Sequence, residues 1–270
     1  MQAEKDFLSN YNIEDYERPS VTADIVAFMI RTEEEESFRK EPKSKLSVLL
    51  INRGEHPFKG CWALPGGFLK MNETIEECAV REIVEETSVT PTALVPIGVF
   101  SAVKRDPRGR IISNAFACII SEESIQAVGG YDAADARWVD VWFERGRDGK
   151  YHLDLYEEGI QMNAVLEEEK IKLGRTQFKI IDSGNLAFDH AEIIATALSE
   201  LRKYAKNFEA IFDFLPEKFT LTSLQRVQET IMNISVLPAN FRRKVADYVV
   251  ETDEYTAGAG HRPAKLYRRK

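Results

Sequence analysis

Apolar runs set the first reading of the chain. Residues 24–30 (DIVAFMI) and 46–52 (LSVLLIN) are near-continuous apolar stretches of strand length, as strands buried on both faces require. Between them EEEESFRKEPKSK is almost wholly charged and polar, which predicts a solvated connection. Helical spacing follows: Ala79, Val80, Ile83, Val84 and Thr87 share a face that can pack into a core. Thr74 with Glu77 reads as a capping box, so this helix is predicted to start at about Ile75. Strands are predicted again over residues 93–103 and 111–120, joined by KRDPRGR, in which Asp106-Pro107-Arg108-Gly109 is a tight turn. Residues 135–143 (DARWVDVWF) form a further strand region. Residues 144–184 read as a polar, irregular insertion, with YHLDL and QFKII as short strand candidates. Residues 186–207 predict a helix capped by Asp189 and Glu192, and His190, in its first turn, reads as structural.

The last 65 residues change character. FEAIFDFLPEKFTLTSLQRVQETIM gives a short apolar helix, a proline break and an amphipathic helix from near Thr222. LPANFRRKVADY predicts a third helix carrying Arg242, Arg243 and Lys244. VVETDEY and AKLYRR then flank a glycine-rich tip as two strands. Helix, helix, helix, hairpin is the order of a winged helix. Its own apolar set, Phe212, Phe214, Leu215, Leu224, Val227, Ile231, Phe241 and Val245, predicts a separate core. The third helix would enter the major groove, with Arg242, Arg243, Lys244, Arg262 and Lys265 as the contacts to double-stranded DNA. Charge alone leaves a second reading open, a small dimerisation module with a solvated basic face.

The chemistry is concentrated in residues 67–89, GFLKMNETIEECAVREIVEETSV. Glu82, Glu85 and Glu86 fall on one arc of the helix, where like charges repel. A hard cation among them explains the arrangement, since Mg²⁺ takes carboxylate oxygens and completes its shell with water and phosphate oxygens. Pro65-Gly66-Gly67 is a turn of small residues that brings backbone close to a ligand. Arg81 stands four residues before Glu85, where an ion pair would orient that carboxylate.

These residues carry a resemblance. The pattern G-x5-E-x7-R-E-U-x-E-E-x-G-U, with U aliphatic, runs from Gly67 through Glu73, Arg81, Glu82, Ile83, Glu85 and Glu86 to Val89, and resembles the signature of the Nudix hydrolases. One position departs: Ser88 stands in place of the second glycine, where a left-handed conformation ends the helix. FDFLPEKFTLTSLQ, NFRRKV and GHRPAKLYR look like the C-terminal domain of the Nudix-related transcriptional regulators of NAD metabolism, LAFDHAEII like the helix that ends their Nudix domain, and RPSVTADIVAF like its first strand. The resemblance implies an α+β protein: a Nudix α/β/α sandwich with a mixed sheet over residues 1–205, with the insertion at 144–184, and a winged helix over 206–270. It implies Mg²⁺, with Mn²⁺ as a substitute, held by Glu82, Glu85, Glu86 and the Gly67 carbonyl, with Glu73 bracing Arg81. It implies ADP-ribose as substrate or effector, with Arg108 or Arg110 reaching a phosphate, and a homodimer that binds operator DNA. A pyrophosphatase whose C-terminal domain serves only dimerisation, and a non-catalytic sensor of another sugar metabolite, are the alternatives. The general base is sought in the loops at 104–110 and 129–137.

Composition narrows the class without changing this picture. The 270 residues are 44% hydrophobic and 30% charged, as in a soluble globular protein. The first twenty residues carry acidic groups and no apolar h-region, and no apolar run reaches the ~18 residues of a membrane span. Cys61, Cys78 and Cys118 lack C-x-x-C spacing and read as reduced thiols of a cytoplasmic protein. The net charge of −8 hides an asymmetry. Residues 206–270 hold 11 Lys and Arg against 8 Asp and Glu, whereas the rest holds 25 against 36, a balance that fits a nucleic-acid partner for the C-terminal part.

Overall fold

A mixed sheet, buried on both faces at its centre, organises the computed structural model, which describes residues 2–32, 44–91, 93–121, 136–170, 176–256 and 263–270. After an exposed helix α1 (Gln2–Asn10), the strands are β1 (Ser20–Thr32), β2 (Ser44–Asn52), β3 (Trp62–Ala63), β4 (Gly66–Phe68), β5 (Val95–Phe100), β6 (Ile111–Ile119), β7 (Ala136–Arg145), β8 (Tyr151–Glu157), β9 (Ile160–Lys170) and β10 (Thr176–Asp182). Their order is β10-β9-β8-β7-β2-β1-β6-β5, with β3 on β2 and β4 on β1. Of these strands only β1 and β6 pair in parallel, Asp24 lying opposite Ala115; the remaining pairs are antiparallel.

The alternation of β1 defines two cores. Ala23, Ile25, Ala27 and Met29 face helix α2 (Ile75–Thr87), which contributes Cys78, Ala79 and Ile83. Val26 and Phe28 face helix α3 (His190–Lys206) on the other side. The expected face of α2 is thus rotated slightly: Cys78 is buried, whereas Val80 and Val84 stay 38% and 36% exposed. The charged segment predicted as a loop lies largely outside the described residues.

The described part of residues 144–184 is regular rather than irregular, and the two strand candidates YHLDL and QFKII fall in β8 and β10. β8, β9 and β10 form an antiparallel meander that extends the sheet. Leu153 and Leu155, then Met162, Ala164 and Leu166, alternate inward with period two. The charged run at the end of β9 and the polar outward residues masked that alternation.

The C-terminal part follows the predicted order. A 3-10 turn (Ile211–Phe214) leads to α4 (Leu221–Met232), α5 (Pro238–Val245) and the hairpin β11 (Val249–Tyr255) and β12 (Lys265–Arg269). Thr220 and Ser223 form a capping box on α4, and Asn233 ends it at φ 50°. Phe219 pairs with Tyr267, which ties the lead-in of α4 to the hairpin. The separate core expected here is not separate. Phe212, Leu224, Ile231, Phe241 and Val245 join α3 and one face of the sheet in a continuous apolar cluster. Polar contacts reinforce the junction: Gln228 donates to the Ala205 carbonyl at 3.0 Å, and Arg202 to those of Ile231 at 3.2 Å and Phe143 at 2.6 Å. Among the described residues no helix is long and apolar enough to cross a membrane.

Candidate functional site

The β4–α2 segment forms as its local chemistry dictates. Thr74 accepts from Glu77 N while the Glu77 carboxylate accepts from Thr74 N, so the helix begins at Ile75. Ser88 ends it in the left-handed region at φ 59°, donating its N–H to Val84 O. Gly67 approaches α2 closely, and a Cβ there would lie 2.4 Å from the Glu82 carboxylate.

Four of the predicted motif residues converge, three carboxylates on the Arg81 guanidinium. Glu73 accepts from its Nε at 2.9 Å and Nη2 at 2.7 Å. Nη1 donates to Glu82 at 2.6 Å and to Glu85 at 3.3 Å, and Nη2 also reaches the Phe68 carbonyl at 3.1 Å. The Glu73 carboxyl is held at about 2, well below the usual range, chiefly by Arg81. Glu86 lies apart from this fan, accepting from Gly66 N at 2.9 Å. Burial, with Glu82 and Asp24 adding repulsion, pushes its carboxyl up to about 7.

This donor set consists of hard oxygens carried on a turn and one helix face, the chemistry that suits Mg²⁺ or Mn²⁺. Among the described residues no three carboxylate, imidazole or thiol side chains form a ready-made cage. Arg81 Nη1 instead bonds one oxygen of each, Oε1 of Glu82 and Oε2 of Glu85, which leaves the second oxygen of both carboxylates for a cation. Cys78 and Cys118 are not competing ligands: burial raises their thiols to about 11 and about 12.

A second constellation escaped the sequence reading. Arg105, in the KRDPRGR loop, is buried and donates twice to Asp189, at 2.7 and 2.6 Å, and to Asp24 at 3.2 Å. Ser113 also donates to Asp24, and His190 Nε2 lies 3.6 Å from it. His190 Nδ1 accepts from Leu64 N at 2.8 Å, which supports the structural role expected of it. The capping box expected at Asp189 and Glu192 is absent because the Asp189 carboxylate is taken by Arg105. The helix starts at His190 rather than near 186, since Phe188 has φ 51°. No motif marks Arg105; only a charged residue before a tight turn could have drawn attention to it.

The remaining predicted residues separate. Arg108 is held by Asp106 at 2.7 Å and lies over the Phe68 and Phe188 rings. Arg110 is committed to the Ser101 carbonyl at 2.9 Å. Asp106, in the loop where a general base was sought, is engaged by Arg108, and residues 129–135 of the other loop lie outside the described residues. Arg242, Arg243 and Lys244 are exposed on α5, whose Phe241 and Val245 anchor it from beneath. Lys265 pairs with Glu251 at 2.7 Å, and Arg262 lies outside the described residues.

A curved mixed sheet between helices, with a G-x5-E-x7-R-E-U-x-E-E turn and helix and a C-terminal winged helix, defines the class: a Nudix fold joined to a winged-helix module. Comparison with known proteins agrees. Residues 26–155 match the NUDIX domain and residues 211–269 the NrtR DNA-binding winged helix domain. The chain is 28% identical over 269 residues, 98% of its length and 88% of the relative's, to the ADPR responsive transcriptional repressor NtrR of Acinetobacter baylyi. It is 47% identical over 94 residues, 35% of its length and 54% of the relative's, to an ADP-ribose pyrophosphatase of Methanocaldococcus jannaschii. The crystal structure of Shewanella oneidensis NrtR complexed with a 27mer DNA matches with a TM-score of 0.62 and 26% identity, covering 93% of each chain. The chain thus unites a NUDIX domain with an NrtR-type winged helix domain.

Proposed function

We propose that this protein is an ADP-ribose-responsive, DNA-binding transcriptional regulator that retains Nudix hydrolase chemistry. The observation that carries the reading is the union, in one chain, of a complete acidic Nudix motif and a winged helix whose third helix presents Arg242, Arg243 and Lys244 to solvent. Similarity over 98% of the chain to a repressor named for its response to ADP-ribose supports both halves together.

In the Nudix half, Glu82, Glu85 and Glu86, with the Gly67 carbonyl, are the groups that would hold Mg²⁺ or Mn²⁺. A bound cation of this kind polarises a diphosphate and lowers the pKa of an attacking water. Arg81 positions Glu82 and Glu85, and Glu73 braces the Arg81 guanidinium. ADP-ribose cleaved at its pyrophosphate gives AMP and ribose 5-phosphate. That every motif carboxylate is present favours turnover over sensing alone.

In the C-terminal half, α5 enters the major groove, and Lys265 lies along the backbone. The protein acts as a homodimer, which places two such helices on half-sites about 34–36 Å apart. Exposed Phe7, Leu8, Ile13 and Tyr16 near the N-terminus supply apolar surface for such an interface. The test measures, on one preparation, ADP-ribose binding without divalent metal and duplex binding by anisotropy. Micromolar or tighter binding of both is expected, and failure of either removes the corresponding half of the proposal.

A further inference from the structure

A cationic tip projects from an acidic domain. Residues 1–205 hold 25 Lys and Arg against 36 Asp and Glu, yet the turn that joins β7 to β8 carries Arg145, Arg147 and Lys150. The turn is well built: Gly146 N donates to the Lys150 carbonyl at 2.7 Å, and Gly149 adopts φ 80°. Its one carboxylate, Asp148, is engaged within the turn, accepting from Lys150 N at 3.1 Å and lying 3.3 Å from His152 Nε2. Arg145 Nε donates to the Gly149 carbonyl at 3.1 Å. Arg145, Arg147 and Lys150 form no ion pair among the described residues, and both arginines are exposed.

This tip borders the winged-helix module. Asn233, which ends α4, donates to the Glu144 carboxylate, and Arg202 bridges the Phe143 and Ile231 carbonyls at 2.6 and 3.2 Å. The end of β7 thus touches the turn between α4 and α5. Arg147 follows Glu144 by three residues, a reach of about 10 Å of extended chain. A helix seated in the major groove has a phosphate strand on either side, about 12 Å apart. Cations this close to the lead-in of α5 are therefore within reach of a flanking strand. They also answer a need. Lys218 and Arg269 of the winged helix are paired with Glu254 at 2.6 Å and Asp213 at 3.5 Å, and the net-acidic Nudix domain repels an approaching duplex.

We propose that the β7–β8 tip is a second DNA contact, in which Arg147 and Lys150 bind backbone phosphates that flank the segment read by α5. The assignment rests on the DNA-binding reading above and extends it into the Nudix domain, outside the residues that match the winged helix. Asn233 and Arg202 fix the tip against α4, so it holds a set place relative to α5. Phosphate contacts of this kind set register and orientation and carry no sequence preference.

The experiment is fluorescence anisotropy on the full chain without divalent metal, with salt varied from about 50 to about 200 mM. Its probes are a duplex recovered by selection from a random pool and a scrambled duplex of equal length. Arg147→Gln with Lys150→Gln should weaken both duplexes by the same factor, at least tenfold near about 0.1 M salt, and lower the slope of log affinity on log salt by about two per protomer. Melting temperature and metal-free ADP-ribose affinity should stay at their wild-type values. Lys59→Gln with Lys70→Gln removes the same charge from the opposite end of the sheet and should leave the slope unchanged. A wild-type slope in the tip variant, beside a lowered slope in Arg242→Ala with Arg243→Ala, would overturn the tip contact and leave α5 standing. An equal fall in both glutamine pairs would also overturn it, since net charge alone would then be acting. No duplex binding by the wild type would remove the DNA-binding reading and the tip contact with it.

Discussion

Gly66 and Gly67 are neighbours in one turn, yet their surroundings assign them opposite vulnerabilities. A Cβ on Gly66 would lie 2.3 Å from the Ala23 carbonyl oxygen and 2.8 Å from Asp24 Oδ1. The first of these is backbone of the central strand and cannot step aside. β4 would have to move off β1 by roughly 1 Å, at about 1–3 kcal/mol for such overpacking, or ~2–10 °C of melting temperature in a chain of this size. A Cβ on Gly67 would instead meet Glu82 Cδ and Oε1 at 2.4 Å, the far end of a flexible side chain. Glu82 can swing away, so Gly67→Ala should cost under about 1 kcal/mol of stability. The same swing displaces a proposed ligand carboxylate by about 1 Å, and misplacement of that size costs on the order of 100-fold in rate. Circular dichroism melts and AMP release from ADP-ribose with Mg²⁺ separate the two effects. Gly66→Ala should lose stability and turnover together, while Gly67→Ala keeps its melting temperature within about 2 °C and loses turnover. Wild-type turnover in Gly67→Ala, or an undiminished melt in Gly66→Ala, would refute the reasoning.

Three further outcomes are expected. Because burial raises the Glu86 carboxyl to about 7, the folded chain binds that proton more tightly than the unfolded chain. In chelator this contribution is complete below about pH 4.5 and lost as pH rises to about 7, an effect on the order of 3 kcal/mol. Glu86→Gln should therefore melt higher than wild type at pH 8 but not at pH 4.5, and an equal advantage at both would contradict the shift. Ser88→Gly should gain about 0.5–1 kcal/mol by relieving the left-handed φ of 59°, read from urea midpoints, with no gain as the contrary result. Arg242→Ala with Arg243→Ala should weaken duplex binding and flatten its salt dependence, the slope falling by about one for each phosphate no longer neutralised; an unchanged slope would take α5 out of the interface.

The fold class and local pairings were legible in the sequence, and contacts between distant segments were not. Spacing alone placed Glu85 beside Arg81, because positions four apart on a capped helix are neighbours, whereas the Glu73–Arg81 pair was implied only by the resemblance and the Arg81–Glu82 contact was not foreseen. Ser88 was read correctly as left-handed because it stands where the motif has its second glycine. What depends on distant partners was hidden. Asp189 looked like a helix cap until Arg105, 84 residues away in the chain, claimed its carboxylate. Leu153, Leu155, Ala164 and Leu166 alternate as strands do, but polar outward neighbours diluted the signal. The winged-helix apolar set was identified, yet its fusion with the α3 core was not, since amphipathic spacing says which face is buried and not against what.

The continuity of that core gives the regulatory reading its physical basis. α3 begins at the buried Arg105–Asp189–Asp24 network and ends with Arg202 and Ala205 bonded to α4, so one rigid element touches both the nucleotide side and the DNA-reading module. Coupling of ordinary strength, about 1–3 kcal/mol, changes affinity about 5- to 150-fold. The most direct measurement titrates ADP-ribose, without divalent metal, into the complex of the full chain with a duplex recovered by selection from a random pool. The account predicts that duplex affinity falls at least about fivefold and that the duplex weakens ADP-ribose binding by the same factor. Duplex affinity unchanged at saturating ADP-ribose would contradict it.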